Sequence, residues 1–336
     1  MNYKININAN SEETKHSQIA KKLRTDIEKG ILKIGTKLPS INEFSKDNNV
    51  ARDTIEKAYK ALKKEGYILS TPGKGNYVAN GSKKILKILM VLNKMSSYKK
   101  EVYEAFINTL GSAAKVDLQI HHYNLDFFKE IIEANKGKYH YYVVMPHFFY
   151  DTPRASYLKV LKRIPNTELV VLDKKVVLDK KIINVFQDFE QDIFDGLMVE
   201  KEMLNKYESF KLVFPKGSHH PVEIIDGVKA FCKGQQKKFA IVDYASEIIP
   251  LKGEVYITLT ENELATLVKK IRDTKLHLGK DIGILSFNET ILKELLGITV
   301  VSTDFSAMGK IAAQMILNKD HGNIRNSFSF IKRESL

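Results

Sequence analysis

From residue 85 to residue 336 the chain alternates short apolar runs with amphipathic stretches, and this rhythm limits the fold more than any other feature. The runs ILKILMVL (85–92), DLQIHHY (117–123), YHYYVVMP (139–146), ELVVLD (168–173) and IINVFQD (182–188) read as strands. So do FKLVFP (210–215), FAIVD (239–243), VYITL (255–259), IGILSFN (282–288) and TVVST (299–303). Helical periodicity fills the gaps, over 100–114, 125–135, 155–164, 189–206, 221–232, 261–275, up to 296 and over 305–317. Strands that are apolar throughout are strands covered on both faces. Strand–helix alternation places them in parallel sheets with helices on either side. The length suits two such lobes better than one.

Residues 1–80 have a different texture. They carry 13 Lys and 2 Arg against 3 Asp and 6 Glu, a net charge of +6. HSQIAKKLRTDIEKG puts Ile19, Leu23 and Ile27 at i, i+4, i+8 and ends on Gly30, which is one amphipathic helix. Ser40 and Glu43 have capping-box spacing after Pro39, so a short helix over 41–47 follows. The turn Asn48-Asn49-Val50 leads to VARDTIEKAYKALKKEGYI, where Ile55, Ala58, Tyr59 and Leu62 form a buried stripe and Gly66 stops the helix. YILSTPGKGNYVA then reads as a hairpin around Pro-Gly-Lys-Gly. Three helices and a hairpin in this order make a winged helix-turn-helix. Its third helix would set its N-terminal residues, Arg52 among them, against base edges. Arginine suits such a position because its fork can bond guanine O6 and N7 together. At the wing tip, Gly73-Lys74-Gly75 has no bulk and one cation, so it can approach a phosphate or the minor groove closely. The bland alternative is a small basic helical domain that binds protein. The stretch ANGSKK gives a linker over 81–84.

Overall charge is weaker evidence for a nucleic-acid partner. The formal charge is +13, but only 7 of the 53 basic residues are arginine, so a general lysine bias explains much of it. The single cysteine, Cys232, falls at an apolar helical position and reads as a buried thiol. It suggests a reducing compartment, and the lack of any long apolar run argues for a cytoplasmic chain with no membrane partner. No G-x-G-x-x-G follows the first strand, and no G-x-x-x-x-G-K-[ST] occurs, so no cofactor is expected. His121-His122 and His219-His220 are adjacent pairs. Neighbours on a strand point to opposite faces, so no metal site is expected from them.

A binding cleft has better support. Ligands of open α/β sheets lie beyond the carboxyl ends of the strands. Asp173, Gln187, Asp188, Thr260, Asn288 and Thr303 end strands there, and the loop NKMSSY, with Tyr98, follows the first strand. Strand ends are commonly polar whether or not they bind anything, so the set carries more weight than any single member.

The segment LPSINEFSKDNNVARDTIEKAYKALKKEGYILSTPGKGNYV resembles the GntR-type DNA-binding domain over about residues 13–80. The resemblance implies DNA contacts from Ser40, Asn42, Arg52, Asp53, Thr54, Lys57, Gly73, Lys74 and Gly75. It departs from the family at Asn42 and Glu56, where basic residues are usual, and at Ala51, where a Ser or Thr cap is usual. Residues 85–336 are similar to the effector domain of LacI-type regulators and so to periplasmic sugar-binding proteins. ELVVLDKKV resembles that family's segment ending in a ligand-facing acid, at Asp173; DIGILSFNET resembles the strand with two acidic positions, held here by Asn288 and Glu289; and TVVSTDFSAMGKIAAQMIL resembles its last helix. The family's sugar-binding arginine is replaced by Ile224, three residues before Gly227, and His219 or His220 is the candidate substitute.

The combination resembles arabinose-repressor-like hybrids. It implies an α/β chain with a winged helix-turn-helix domain (1–80) and a two-lobed, periplasmic-binding-protein-like effector domain (85–336). Lobe 1 is expected over 85–186 and 301–323, and lobe 2 over 187–300 and 324–336. Tyr98, Asp173, His220, Thr260, Asn288 and Thr303 are the expected effector contacts. The implied function is transcription regulation by a homodimer on a two-fold operator in double-stranded DNA, controlled by a small effector, a sugar or sugar derivative. A constitutive dimeric DNA-binding protein with a non-sensing lobe stays open beside it, as does an α/β enzyme with an accessory domain.

Overall fold

The computed structural model describes residues 3–8, 11, 13–79, 85–149, 151–217 and 219–336. The expected linker at 81–84 lies outside the described residues. The chain divides into two compact units, Met1–Ile85 and Leu86–Leu336.

In the first unit α1 (Lys15–Glu28), α2 (Ile41–Asn48) and α3 (Arg52–Lys64) precede a hairpin of β1 (Ile68–Thr71) and β2 (Gly75–Val78). The apolar stripes meet in one core that includes Ile19, Leu23, Phe44, Ile55, Tyr59 and Leu62. The capping box forms. Ser40 Oγ accepts from Glu43 N–H at 3.2 Å, and a Glu43 carboxylate oxygen accepts from Ser40 N–H at 2.8 Å. Asn49 turns the chain into α3 through φ 53, a region that asparagine tolerates. Ala51 leaves α3 without a side-chain cap, as its sequence implies. One addition was not legible in the sequence. Tyr3, Ile5 and Ile7 pack on this core, and the Asn48 carboxamide holds their backbone, accepting from Ile5 N–H at 2.7 Å and donating to Tyr3 O at 3.1 Å.

The second unit holds two six-stranded sheets. The first contains β3 (Leu86–Leu92), β4 (Ala114–Ile120), β5 (Tyr141–Val144), β6 (Leu169–Lys174), β7 (Ile183–Gln187) and, late in the chain, β13 (Gly322–Arg325). Its order is β13-β7-β6-β5-β3-β4 and every pairing is parallel. The second contains β8 (Ser209–Val213), β9 (Lys238–Val242), β10 (Glu254–Thr258), β11 (Gly283–Phe287), β12 (Thr299–Thr303) and β14 (Phe328–Ile331). Its order is β14-β12-β11-β10-β8-β9, and β14 alone runs antiparallel. The connecting helices are α4 (Ser97–Leu110), α5 (Leu125–Asn135), α6 (Arg154–Leu161), α7 (Phe189–Val199), α8 (Lys201–Leu204), α9 (Glu223–Gly234), α10 (Glu261–Arg272), α11 (Ile291–Leu295) and α12 (Phe305–Asn318). The apolar strand runs follow from two-sided burial. Ile88, Met90 and Leu92 enter the core on one face of the first sheet, and Leu89 and Val91 enter the core on the other.

The chain passes between the sheets after Gln187, after Thr303 and between Arg325 and Phe328. Three expected lobe limits therefore shift, the first by one residue, because Gln187 still belongs to β7 of the first sheet. Residues 301–303 belong to the second sheet because β12 pairs with β11, and the first lobe resumes only with α12. It then extends through β13, a strand too short and polar to stand out, to Arg325. The expected helix over 189–206 breaks at Glu200 (φ −106, ψ 24) into α7 and α8. α4 begins earlier than expected, capped by Ser96, and ends at Gly111. Gly227 explains the glycine of the Ile224 segment. There α9 lies directly on α7, and a Cβ would sit 2.3 Å from Glu190 O.

Candidate functional site

Two surfaces carry the chemistry, one on each unit. On the first, burying Ile55, Ala58, Tyr59 and Leu62 turns Arg52, Asp53, Glu56 and Lys57 outward, with Thr54 at the edge of the core. Lys57 pairs with Asp53 one turn away at 2.7 Å, which raises its ammonium pKa and engages its charge locally. Arg52 has no such partner among the described residues and is exposed. Asn42 is exposed on α2, whereas Ser40 Oγ is committed to the cap. The wing tip is exposed, with Gly73 at φ 70 and Gly75 at φ 108, and the turn closes through Lys74 N–H to Thr71 O at 3.0 Å. The sequence reading did not single out Lys37. It bridges to Tyr77 on the wing, and its Cε lies 3.2 Å from where a Cβ on Gly75 would be. Its position just before Leu-Pro-Ser was the available signal.

On the second unit a cavity of about 550 Å³ opens among the carboxyl ends of both sheets. Tyr98, Asp173, His220, Thr260 and Asn288 all line it, as do Asn93, His147, Gln187 and Ile224. Thr303 does not. It is buried behind the cavity, and its hydroxyl donates to Gln187 Oε1. An adjoining cavity of about 440 Å³ shares His147, Gln187, His219 and His220 and adds Arg154, Lys174, Asp188 and Glu223.

Asp173 is 4% exposed and sits at φ 74, at the end of β6. Lys99 Nζ and His147 Nε2 both bond its Oδ2, the latter at 2.8 Å, and Gln187 Nε2 donates to its Oδ1. Burial alone would raise this carboxyl, but the charge of Lys99 and its neighbours outweigh burial and hold it well below the usual carboxylate range. Burial lowers the His147 imidazole against the pull of Asp173, whose carboxylate its Nε2 faces. A bonded chain results: Lys99 to Asp173, Asp173 to Gln187, Gln187 to Thr303. It reaches the ends of β7 and β12, where the chain crosses between sheets.

The opposite wall is set by helix caps and one buried lysine. Thr260 Oγ1 accepts from Glu263 N–H at 3.3 Å and starts α10. Asn288 adopts φ 64, and Lys293 Nζ fixes it by donating to Phe287 O at 2.6 Å and Asn288 O at 2.9 Å. Burial pushes that ammonium down to about 8. Tyr98 stacks on Phe305 with centroids 5.0 Å apart. His220 is pushed down to about 4 by burial, so it is neutral near pH 7 and lines the cavity as a hydrogen-bonding group, not as a cation. Among the described residues no group of three or more His, Cys, Asp or Glu side chains is placed to hold a metal ion. Cys232 is buried and its thiol is pushed up to about 12 by burial. No described helix is long and apolar enough to cross a membrane.

A winged reading head joined to a two-lobed α/β unit, with a cleft where the lobes meet, defines a DNA-binding transcription regulator. Residues 15–78 match the family described as bacterial regulatory proteins, gntR family. The chain is 32% identical over 133 residues to the HTH-type transcriptional repressor YtrA of Bacillus subtilis, covering 40% of this chain and 95% of that one. The chain belongs to the GntR family. Its fold is shared with the lac repressor dimer bound to operator and an anti-inducer (TM-score 0.59, 14% identity, 76% of this chain and 95% of that one). It is shared too with a periplasmic binding protein/LacI transcriptional regulator of Alkaliphilus metalliredigens in complex with D-xylulofuranose (TM-score 0.55, 12% identity, 74% and 98%).

Proposed function

We propose that this regulator senses a small organic effector, a sugar or sugar derivative, in the cleft of its second unit, and that binding there sets its affinity for an operator. The observation that carries this reading is the bonded chain from Asp173 through Gln187 to Thr303, which links a cleft wall to two of the sheet crossings. A ligand that competes for Asp173 or Gln187 acts on the segments about which the lobes turn. It can shift the lobe equilibrium only by its differential affinity for the two lobe arrangements. The D-xylulofuranose bound by the Alkaliphilus protein of the same fold favours a sugar.

In this reading the head, residues 1–80, reads a half-site with Arg52, Thr54 and Lys57 while Lys74 and Lys37 hold phosphates. One head buries too little surface for tight specific binding, so two copies act on a two-fold operator. The surface proposed for pairing is α11 and its C-cap, which expose Ile291, Leu292, Leu295 and Leu296 beside a cavity of about 580 Å³ lined by Leu276, Leu278 and Leu296 and rimmed by Arg272, Lys275 and His277. Side chains of one copy can fill the cavity of the other. Calorimetric titration with neutral monosaccharides, N-acetylated amino sugars and sugar phosphates tests the sensor, followed by operator binding with and without each binder. A binder that leaves operator affinity unchanged would refute the coupling, and no binder in the panel would refute the sugar assignment.

A further inference from the structure

The lobes are joined where the chain crosses between the sheets, and those crossings are bonded to one another. Asn326 N–H donates to Phe186 O at 2.8 Å and its carboxamide nitrogen to Asp304 O at 2.9 Å, while Asp304 N–H donates to Ser327 O at 3.0 Å. A further contact lies off the crossings. Arg325 ends β13 in the first sheet, whereas α7 packs through Ile193 and Leu197 into the core of the second. The Arg325 guanidinium spans the two, donating from Nε to Asp192 Oδ1 at 2.7 Å and from Nη2 to Asp195 Oδ2 at 2.8 Å. Asp192 is 2% exposed, and its Oδ2 accepts from Asp188 N–H at 2.8 Å, at the first crossing. Burial pushes its carboxyl up to about 6 in spite of Arg325. A buried ion pair is weak ground for stability alone, since apolar groups of similar volume often serve as well. The geometry offers another use. Asp195 stands seven residues beyond Asp188, about 10 Å along the helix, so a turn of about 15° across that axis carries it roughly 2–3 Å. Such a shift breaks a bond whose planar donor fork fixes its direction.

Resting on the sensing cleft proposed above, we infer that Arg325, Asp192 and Asp195 form a latch across the hinge, which holds the lobe arrangement of the free protein and so sets how tightly effectors are bound. None of the three lines either cavity of the cleft, so the latch acts without touching an effector. When a ligand binds one lobe arrangement, its apparent affinity is scaled by the fraction of protein in that arrangement. Loosening the latch changes that fraction and shifts every effector by one common factor. A residue that contacts ligand would shift different effectors by different factors.

The test uses the full chain with Arg325→Gln and Asp195→Asn. The second variant alters only a half-exposed carboxylate and leaves buried Asp192 paired, so it is expected to keep the fold. Hydrogen exchange of the free protein compares the amides of Asp304 and Asn326, which bond between crossings, with those of β3 and β10, which lie within one sheet each. Exchange should quicken about threefold or more at the crossings in both variants, while β3 and β10 keep wild-type rates. Members of the sugar panel that bind wild type are then titrated calorimetrically. Their affinities should shift about threefold or more, by one factor for all of them. Crossings that exchange as in wild type would overturn the latch, and exchange quickened equally in β3 and β10 would make the residues structural. Affinities that stay unchanged, or that shift by factors differing among binders, would overturn its role in binding while leaving the sensing cleft intact. If wild type binds no member of the panel, the sugar assignment falls, and exchange at the crossings alone decides the latch.

Discussion

Replacing Lys99 with methionine should expose how the cleft wall is held together. Lys99 is buried and bonds Asp173, which is 4% exposed. Losing one partner of a buried ion pair typically costs about 3–5 kcal/mol, because the remaining charge has neither solvent nor counter-ion. His147 and Gln187 still donate to Asp173, so the lower end applies, about 3 kcal/mol. The pH dependence carries a sign. In wild type the Asp173 carboxyl is depressed, so its contribution is complete above the unfolded value near 3.9 and is lost only as pH falls through the folded value. Without Lys99, burial dominates and the carboxyl rises, so the folded state gains from protonation and the deficit narrows as pH falls. Urea unfolding, read by hydrogen exchange at the β6 amides, reports this unit separately. Adding Asp173→Asn should restore most of the loss, since asparagine tolerates φ 74 and carries no charge. A Lys99→Met protein within about 1 kcal/mol of wild type at neutral pH, or a deficit that widens in acid, would refute the account.

Arg52→Ala should cost about 1–3 kcal/mol on a selected operator and relax preference at one base, whereas Lys74→Ala should weaken all sequences alike and lower the salt slope by about one. Equal operator binding by wild type and Arg52→Ala at matched salt would rule out the assignment of α3. Asn288→Gly removes a cleft carboxamide while accepting φ 64, and should weaken effector binding about tenfold with operator affinity in its absence unchanged; loss of both would make the residue structural. Burial pushes His121 and His220 down to about 4, so both stabilise the fold above an unfolded value near 6.5 and lose that contribution as pH falls toward 4. Urea unfolding should show each contributing about 1–2 kcal/mol less at pH near 5 than near 7, and a flat profile would contradict this. Leu295→Glu should leave a monomer in sedimentation, and an unchanged dimer would remove α11 from the pairing surface.

How much of this was legible depended on whether a local signal existed. The head was readable because its signals are local: the Ser40–Glu43 cap, the i, i+3, i+4 stripe of α3 and the Gly66 stop each act within one turn. The sheets were readable because two-sided burial writes continuous apolar runs, as in β3 and β11. β13 was not, since an edge strand of Gly-Asn-Ile-Arg carries no such run. Residues 3–8 were not, because their partners Asp26 and Asn48 lie far along the chain.

The cleft was legible as a place but not as a list of contacts, and the reason is physical. A polar residue at a strand end looks the same in sequence whether its hydrogen bonds go to the protein or await a ligand. Thr303 and Asp173 were equally good candidates, yet Thr303 is turned away onto Gln187, and both oxygens of Asp173 already accept bonds. Asn93 sits in the same kind of position, and only the set of bonds around it shows an oxygen without a partner among the described residues. The partners that settle each case lie 74 residues away for Asp173 and Lys99, and 116 for Gln187 and Thr303. No window of sequence spans such pairs, so the distinction between a residue that builds the cleft and one that reads its contents belongs to the folded chain.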